Sequence, residues 1–88
     1  MRACVLLDAD GRLVSVDEAH EADGETLADL TRQLLERAGT SQVEVSTGAG
    51  IVYALRQGGW SLGVVAGRFA LSSLVFFDMR QALEKLAR

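Results

Sequence analysis

Three short apolar runs separated by glycines constrain this chain more than anything else in it. Gln42-Val43-Glu44-Val45-Ser46-Thr47 is followed by Gly48-Ala49-Gly50, and Ile51-Val52-Tyr53-Ala54-Leu55-Arg56 by Gln57-Gly58-Gly59; the third run is Trp60-Ser61-Leu62-Gly63-Val64-Val65-Ala66. Segments this short, rich in β-branched and aromatic residues and joined by glycine turns, predict an antiparallel meander of three strands. Strict alternation in 42–47 gives that strand one dry and one wet face. Gly63 and Gly67 match a small-xxx-small spacing, which has no membrane meaning in a short strand. Glycines there mark a close backbone approach or a bulge instead.

Met1 to Leu7 predicts a further strand, apolar on both faces and therefore covered on both. Asp8-Ala9-Asp10-Gly11 is a turn, with glycine at the position that needs φ > 0. Arg12 to Asp17 returns as a strand, and Glu18 to Gly24 is a polar loop. Glu25 to Ala38 carries Leu27, Leu30, Thr31, Leu34, Leu35 and Ala38 at helical spacing. Asp23 suits its N-cap and Gly39 its C-terminal stop. With Ala28, these side chains span a wider arc than one sheet contact needs, so the helix has apolar surface to spare. A second helix is expected from Leu71 to Arg88, with Leu71, Val75, Met79, Ala82, Leu83 and Leu86 inward. Leu74 and Phe77 fall away from that stripe and are expected to be exposed; the alternative is a rotated helix with both residues in the core. The expectation is one α/β (α+β) domain over residues 1–88. It has a five-stranded antiparallel sheet, a central and a C-terminal helix, and the order β-β-α-β-β-β-α.

Composition sets the scale of the core. At 88 residues, 49% of them hydrophobic, with nine glycines and no proline, the chain is too apolar for disorder. A domain this small has a thin core and gains stability by association. The net charge is −3, and the acids gather in residues 1–30 while residues 51–88 are mildly basic. An acidic domain with no basic stripe is a poor nucleic-acid binder. Cys4, the lone cysteine, sits in an apolar run as a small hydrophobe. No disulfide framework, signal peptide or long apolar stretch is evident, and the expectation is a cytoplasmic protein without a membrane span.

Catalysis needs paired groups, and few are on offer. His20 is the single histidine and lies in an acidic loop, so any nucleophile has one possible base. Metal ligation by His and Cys would need more of both. Asp8-Ala9-Asp10-Gly11 departs from a calcium loop at Arg12. Gly48-Ala49-Gly50 departs from a dinucleotide fingerprint at Tyr53. Trp60 and Tyr53 are read as covering a helix rather than stacking on a ligand. The chain is therefore expected to be no enzyme and to hold no cofactor.

Several of these segments, taken in order, resemble the Roadblock/dynein light chain family, a small profilin-like fold. Val5 to Val14 looks like that family's opening hairpin, and Thr26-Leu27-Ala28-Asp29-Leu30 is similar to the start of its central helix. Gly48 to Val65, followed by Leu71 to Arg80, is similar to its closing meander and helix. The family's first helix, which lies beside the last one on a sheet face, is expected to be lacking, because a strand begins almost at Met1. The resemblance implies non-catalytic proteins that dimerise through the central helix and adjacent edge strand and bind Ras-like small GTPases or motor subunits.

Here those positions are Glu25 to Ala38 and Gln42 to Thr47, with Leu30, Leu34, Arg37, Val43, Glu44 and Val45 as interface candidates. Leu74 and Phe77 are candidates for a partner patch, pointing to where the first helix would pack. The functional expectation is a homodimeric scaffold or regulator of a Ras-like small GTPase. The alternative is a PAS- or GAF-like small-molecule sensor, which would need a hollow with convergent polar groups. The aliphatic residues at inward strand positions speak for a filled core instead.

Overall fold

The computed structural model describes residues 3–18, 24–48, 50–67 and 69–86. Expectations for Met1 and Arg2, His20, the Asp23 cap, Ala49 and the last two residues of the second helix fall outside them. The elements are β1 (Ala3–Leu7), β2 (Leu13–Glu18), α1 (Gly24–Ala38), β3 (Gln42–Thr47), β4 (Gly50–Gln57), β5 (Trp60–Ala66) and α2 (Ser72–Leu86). They form one antiparallel sheet in the order β2-β1-β5-β4-β3.

The turns are built as their residues dictate. Gly58 and Gly59 both have positive φ (62° and 84°), joining Gln57 to its partner Trp60 by the two-residue link that suits twisted strands. In the first hairpin Gly11 takes φ 80°. Asp8 Oδ1 accepts hydrogen bonds from the N–H groups of Asp10 (2.9 Å) and Arg12 (3.0 Å), closing the turn locally.

Alternation along the strands sends apolar side chains to both faces, and each face has its own helix. On one, Ala3, Val5 and Leu7 of β1 meet Val52, Val65 and the Leu27 and Ala28 of α1. On the other, Tyr53, Leu55, Leu62, Val64 and Ala66 meet Phe76, Met79 and Leu83 of α2. Cys4 is half-buried and packs on this second layer. α1 touches all five strands, whereas α2 packs on β4 and β5, so no described helix covers β1 and β2 on the α2 face.

Two contacts set the helices. Gly63 lies beneath Thr31, where an added Cβ would sit 1.9 Å from Thr31 Oγ1, so the strand glycine marks a close approach as expected. Thr31 is fully buried and its hydroxyl donates to Leu27 O at 2.8 Å, which satisfies it within α1. On the opposite face the buried Tyr53 ring meets Phe76 edge-on, centroids 5.2 Å apart and planes at 86°.

The second contact corrects the expected stripe of α2. Phe76, Met79 and Leu83 are buried and Val75 is half-buried, but Leu71 (64%) and Leu86 (44%) are exposed, as is Ala82. The helix is rotated because Phe76 fits the Tyr53 edge and because Ser72 and Arg80 find polar partners on β3.

Gly63→Ala is expected to destabilise the fold by about 1–3 kcal/mol through overpacking against Thr31. Adding Thr31→Ala should recover part of that loss. Urea unfolding of both single variants and the double variant measures the coupling; strictly additive effects would mean that the two sites do not meet.

Candidate functional site

The sheet ends at β3, and α1 crosses the same face beside it. Helical spacing fixes which side chains of α1 go where. Leu27, Ala28, Thr31 and Leu35 are buried against the strands, and Arg32 leaves on one flank, where Nε donates to Gly11 O in the first turn and the guanidinium pairs with Asp29. The other flank carries Leu30 and Leu34, which touch the core yet remain half-buried, and Arg37, which is exposed. Glu25 in the first turn and Arg37 in the last suit the helix dipole. Gly39, at φ 64°, ends the helix as expected.

β3 presents its residues alternately. Val43 pairs with Ala54 and Val45 with Val52, and directly opposed residues share a face, so both valines lie on the α1 side. Both are half-buried, because no described strand follows at the open edge. Leu30, Leu34, Val43 and Val45 thus share one face of the molecule as incompletely covered apolar surface.

Glu44 departs from that group. It pairs with Tyr53 and so lies on the α2 face. Its Oε2 accepts a hydrogen bond from Ser72 Oγ at 2.8 Å, and that hydroxyl lies 3.3 Å from Tyr53 Oη. Arg80 donates to Gln42 Oε1 at 2.7 Å. Polar side chains thus tie α2 to β3. Ser72 stands at the helix start and Arg80 two turns on, a spacing that puts both on one flank; nothing in sequence names their partners.

Leu74 (57%) and Phe77 (53%) are exposed. Phe77 precedes Arg80 by three residues and lies on the flank that turns to β3, with Leu74 further out. Val75 lies on the other flank, toward the uncovered β1–β2 surface. Leu74 and Phe77 therefore do not face the region where a helix beside α2 would pack. Phe69, fully exposed, and Leu71 extend the apolar surface at the head of α2.

A cavity of about 340 Å³ lies between β5 and α2, lined by Val64, Ala66, Ala70, Val75, Met79 and Asp78. Among its described lining residues Asp78 is the one charged side chain. Among the described residues no three His, Cys, Asp or Glu side chains gather as a metal would require. No described helix is long and apolar enough to cross a membrane.

No protein-family model matches this chain, and neither does any curated protein. Solved structures do. A crystal structure of the Roadblock/LC7 domain from Streptomyces avermitilis matches at TM-score 0.74 and 24% identity, covering 97% of this chain and 81% of that one. Another structure of the Roadblock/LC7 domain from the same organism matches at TM-score 0.74 and 25% identity, over 94% and 80%. MglB of Myxococcus xanthus matches at TM-score 0.73 and 21% identity, over 97% and 79%. At such identity the likeness is one of backbone, and it extends over nearly every element described above. The five-stranded sheet with a helix on either face is a Roadblock-like fold.

Proposed function

We propose that this chain is a non-catalytic interaction module, a homodimeric scaffold or regulator of a Ras-like small GTPase. The observation that carries this reading is the Roadblock-like backbone combined with apolar side chains left half-covered at its open edge. Leu30, Leu34, Val43 and Val45 have room for more contact, and the outer edge of β3 has no strand neighbour among the described residues. A second copy meeting this surface about a two-fold axis would cover both. Arg37 stands at the rim of that contact. Glu44, on the other face, contributes to the join through its backbone.

The GTPase reading rests on what the family resemblance implies, and the non-catalytic one on a sequence with a single histidine and a single cysteine. Leu74 and Phe77 are assigned to the partner patch, since both are large, apolar and exposed on α2. The reading places the protein in the cytoplasm. A second reading, a small-molecule sensor, is favoured by the cavity between β5 and α2, whose volume falls in the range of ligand sites. Among the described residues its lining offers one charged group where a sensor needs several convergent polar ones, so it ranks second.

At micromolar concentration, sedimentation velocity is expected to show a dimer. Leu34→Asp should weaken it about a hundredfold or more, because association would bury an unpaired carboxylate. A wild-type monomer would remove the homodimer from the proposal.

Calorimetry with the host's small GTPases, each loaded with GDP or a non-hydrolysable GTP analogue, is expected to find one that binds one nucleotide state at least about tenfold more tightly. Phe77→Ser should abolish that binding while leaving the fold and the dimer intact. Failure with every GTPase, together with a stoichiometric small molecule carried through purification, would favour the sensor.

A further inference from the structure

We infer that the hollow where α1 crosses two turns at one end of the sheet binds the phosphate group of a small phosphate monoester. It lies on the Arg32 flank of α1, away from Leu30 and Leu34, and on the other side of the sheet from the cavity beneath α2.

The walls come from chain turns. The Asp8–Gly11 turn and the Gly58–Gly59 turn lie side by side, so a Cβ added to Gly59 would stand 3.7 Å from Ala9 Cβ. β1 and β2 slip register between Leu6 and Leu7, where pairing passes from Ser15 to Leu13 and leaves Val14 over. A bulge bends and twists its strand, and this one lies at the turn end of the hairpin. Arg32 closes a third side from α1, since a Cβ on Gly11 would lie 3.6 Å from its Cδ and Nε. Between them is a hollow of about 200 Å³, whose lining includes Leu7, Asp8, Arg32, Arg56 and Ser61.

Hydrogen-bond donors reach this hollow from α1, β4 and β5. Ser61 pairs with Leu7 on one side and Arg56 on the other, so all three stand on the α1 face. Ser61 is only 6% exposed, yet its hydroxyl bonds to no described residue. Its Oγ is not sealed into the packing but opens to the hollow that it lines. A hydroxyl so placed calls for a partner from within the hollow.

The two guanidinium groups differ in their freedom. Arg32 Nε donates to Gly11 O and Nη1 to Asp29, which fixes the group and leaves Nη2 without a described partner. The Arg56 guanidinium has neither an ion pair nor a hydrogen bond among the described residues. One cation is pinned in place, and the other is uncompensated.

Three converging donors suit a tetrahedral anion with three terminal oxygens better than a planar carboxylate with two. Asp8 shares the lining, and its place beside an anion says something about the rest of the ligand. Its Oδ1 is held by the N–H groups of Asp10 and Arg12, while Oδ2 has no described partner. A hydroxyl on the ligand would donate to Oδ2, with Leu7 and Ala9 covering the carbon that bears it. The hollow is several times the roughly 30 Å³ share of one water, yet smaller than the roughly 300 Å³ at which sites for drug-sized molecules begin. The ligand is therefore a phosphate with a short hydroxylated tail.

The test follows backbone amide shifts of the ¹⁵N-labelled protein, titrated at fixed ionic strength with glycerol phosphate, inorganic phosphate and acetate. Saturable shifts are expected at Gly11, Gly59 and Ser61, tightest with glycerol phosphate and at least about tenfold weaker with acetate. Arg56→Gln is expected to weaken glycerol phosphate about tenfold or more through loss of a charge-assisted hydrogen bond, and Ser61→Ala about threefold. Arg56 is exposed, so its replacement spares the fold; Lys85→Gln, an equal loss of charge on the exposed face of α2, is expected to change nothing. No saturable shift in the wild type, or binding that Arg56→Gln weakens no more than Lys85→Gln does, would overturn the site. Acetate binding as tightly as glycerol phosphate would overturn the phosphate, and inorganic phosphate binding as tightly would overturn the tail.

Discussion

The seat of Thr31 on Gly63 is the contact on which the rest of this molecule depends. A strand residue with no side chain lets α1 approach β5 more closely than any Cβ would permit. Because the Thr31 hydroxyl is bonded within its own helix, the approach leaves no buried polar group unpaired. The contact fixes both the height of α1 above the sheet and its rotation. That rotation buries Leu27, Ala28 and Leu35, and it leaves Leu30 and Leu34 at the margin. The half-covered apolar margin of α1 is thus a by-product of how tightly one turn of helix is seated.

The two faces are held by different chemistry. On the α1 side, close packing is supplemented at one corner by Arg32, which reaches across to the first turn. On the α2 side an edge-on aromatic pair is joined by Ser72 and Arg80, which reach polar residues of β3. β3 therefore serves both layers at once, through valines on one face and polar side chains on the other. A disturbance at this edge strand would be felt by both helices, although they do not touch the same side of the sheet.

The sequence made the strands legible because glycine turns bracket them and their lengths leave little choice. The spare arc of α1 was legible too, since acidic and basic residues define its outer face and so its inner one. The rotation of α2 was not. Leu71, Leu74, Val75, Phe76, Phe77, Met79, Leu83 and Leu86 surround that helix almost completely, and periodicity admits more than one inward stripe. The choice is made by Tyr53 and by β3, residues distant in sequence, and a pattern internal to the helix carries no trace of them. Glu44 illustrates the same limit. Alternation separates it from Val43 and Val45, but only the pairing with Tyr53 says which helix it faces. Gly63 could be read as a close approach, whereas its partner Thr31 looked like one more member of an apolar stripe.

The slipped register at Val14 gives the two ends of the sheet different standing. β3 pairs with β4 in unbroken register, while β2 is interrupted where its pairing with β1 skips a residue. A sheet regular at both ends can add copies at either one and grow into a fibre. A sheet regular at one end alone has a valence of one: the first strand that joins it also uses up the place where another could join.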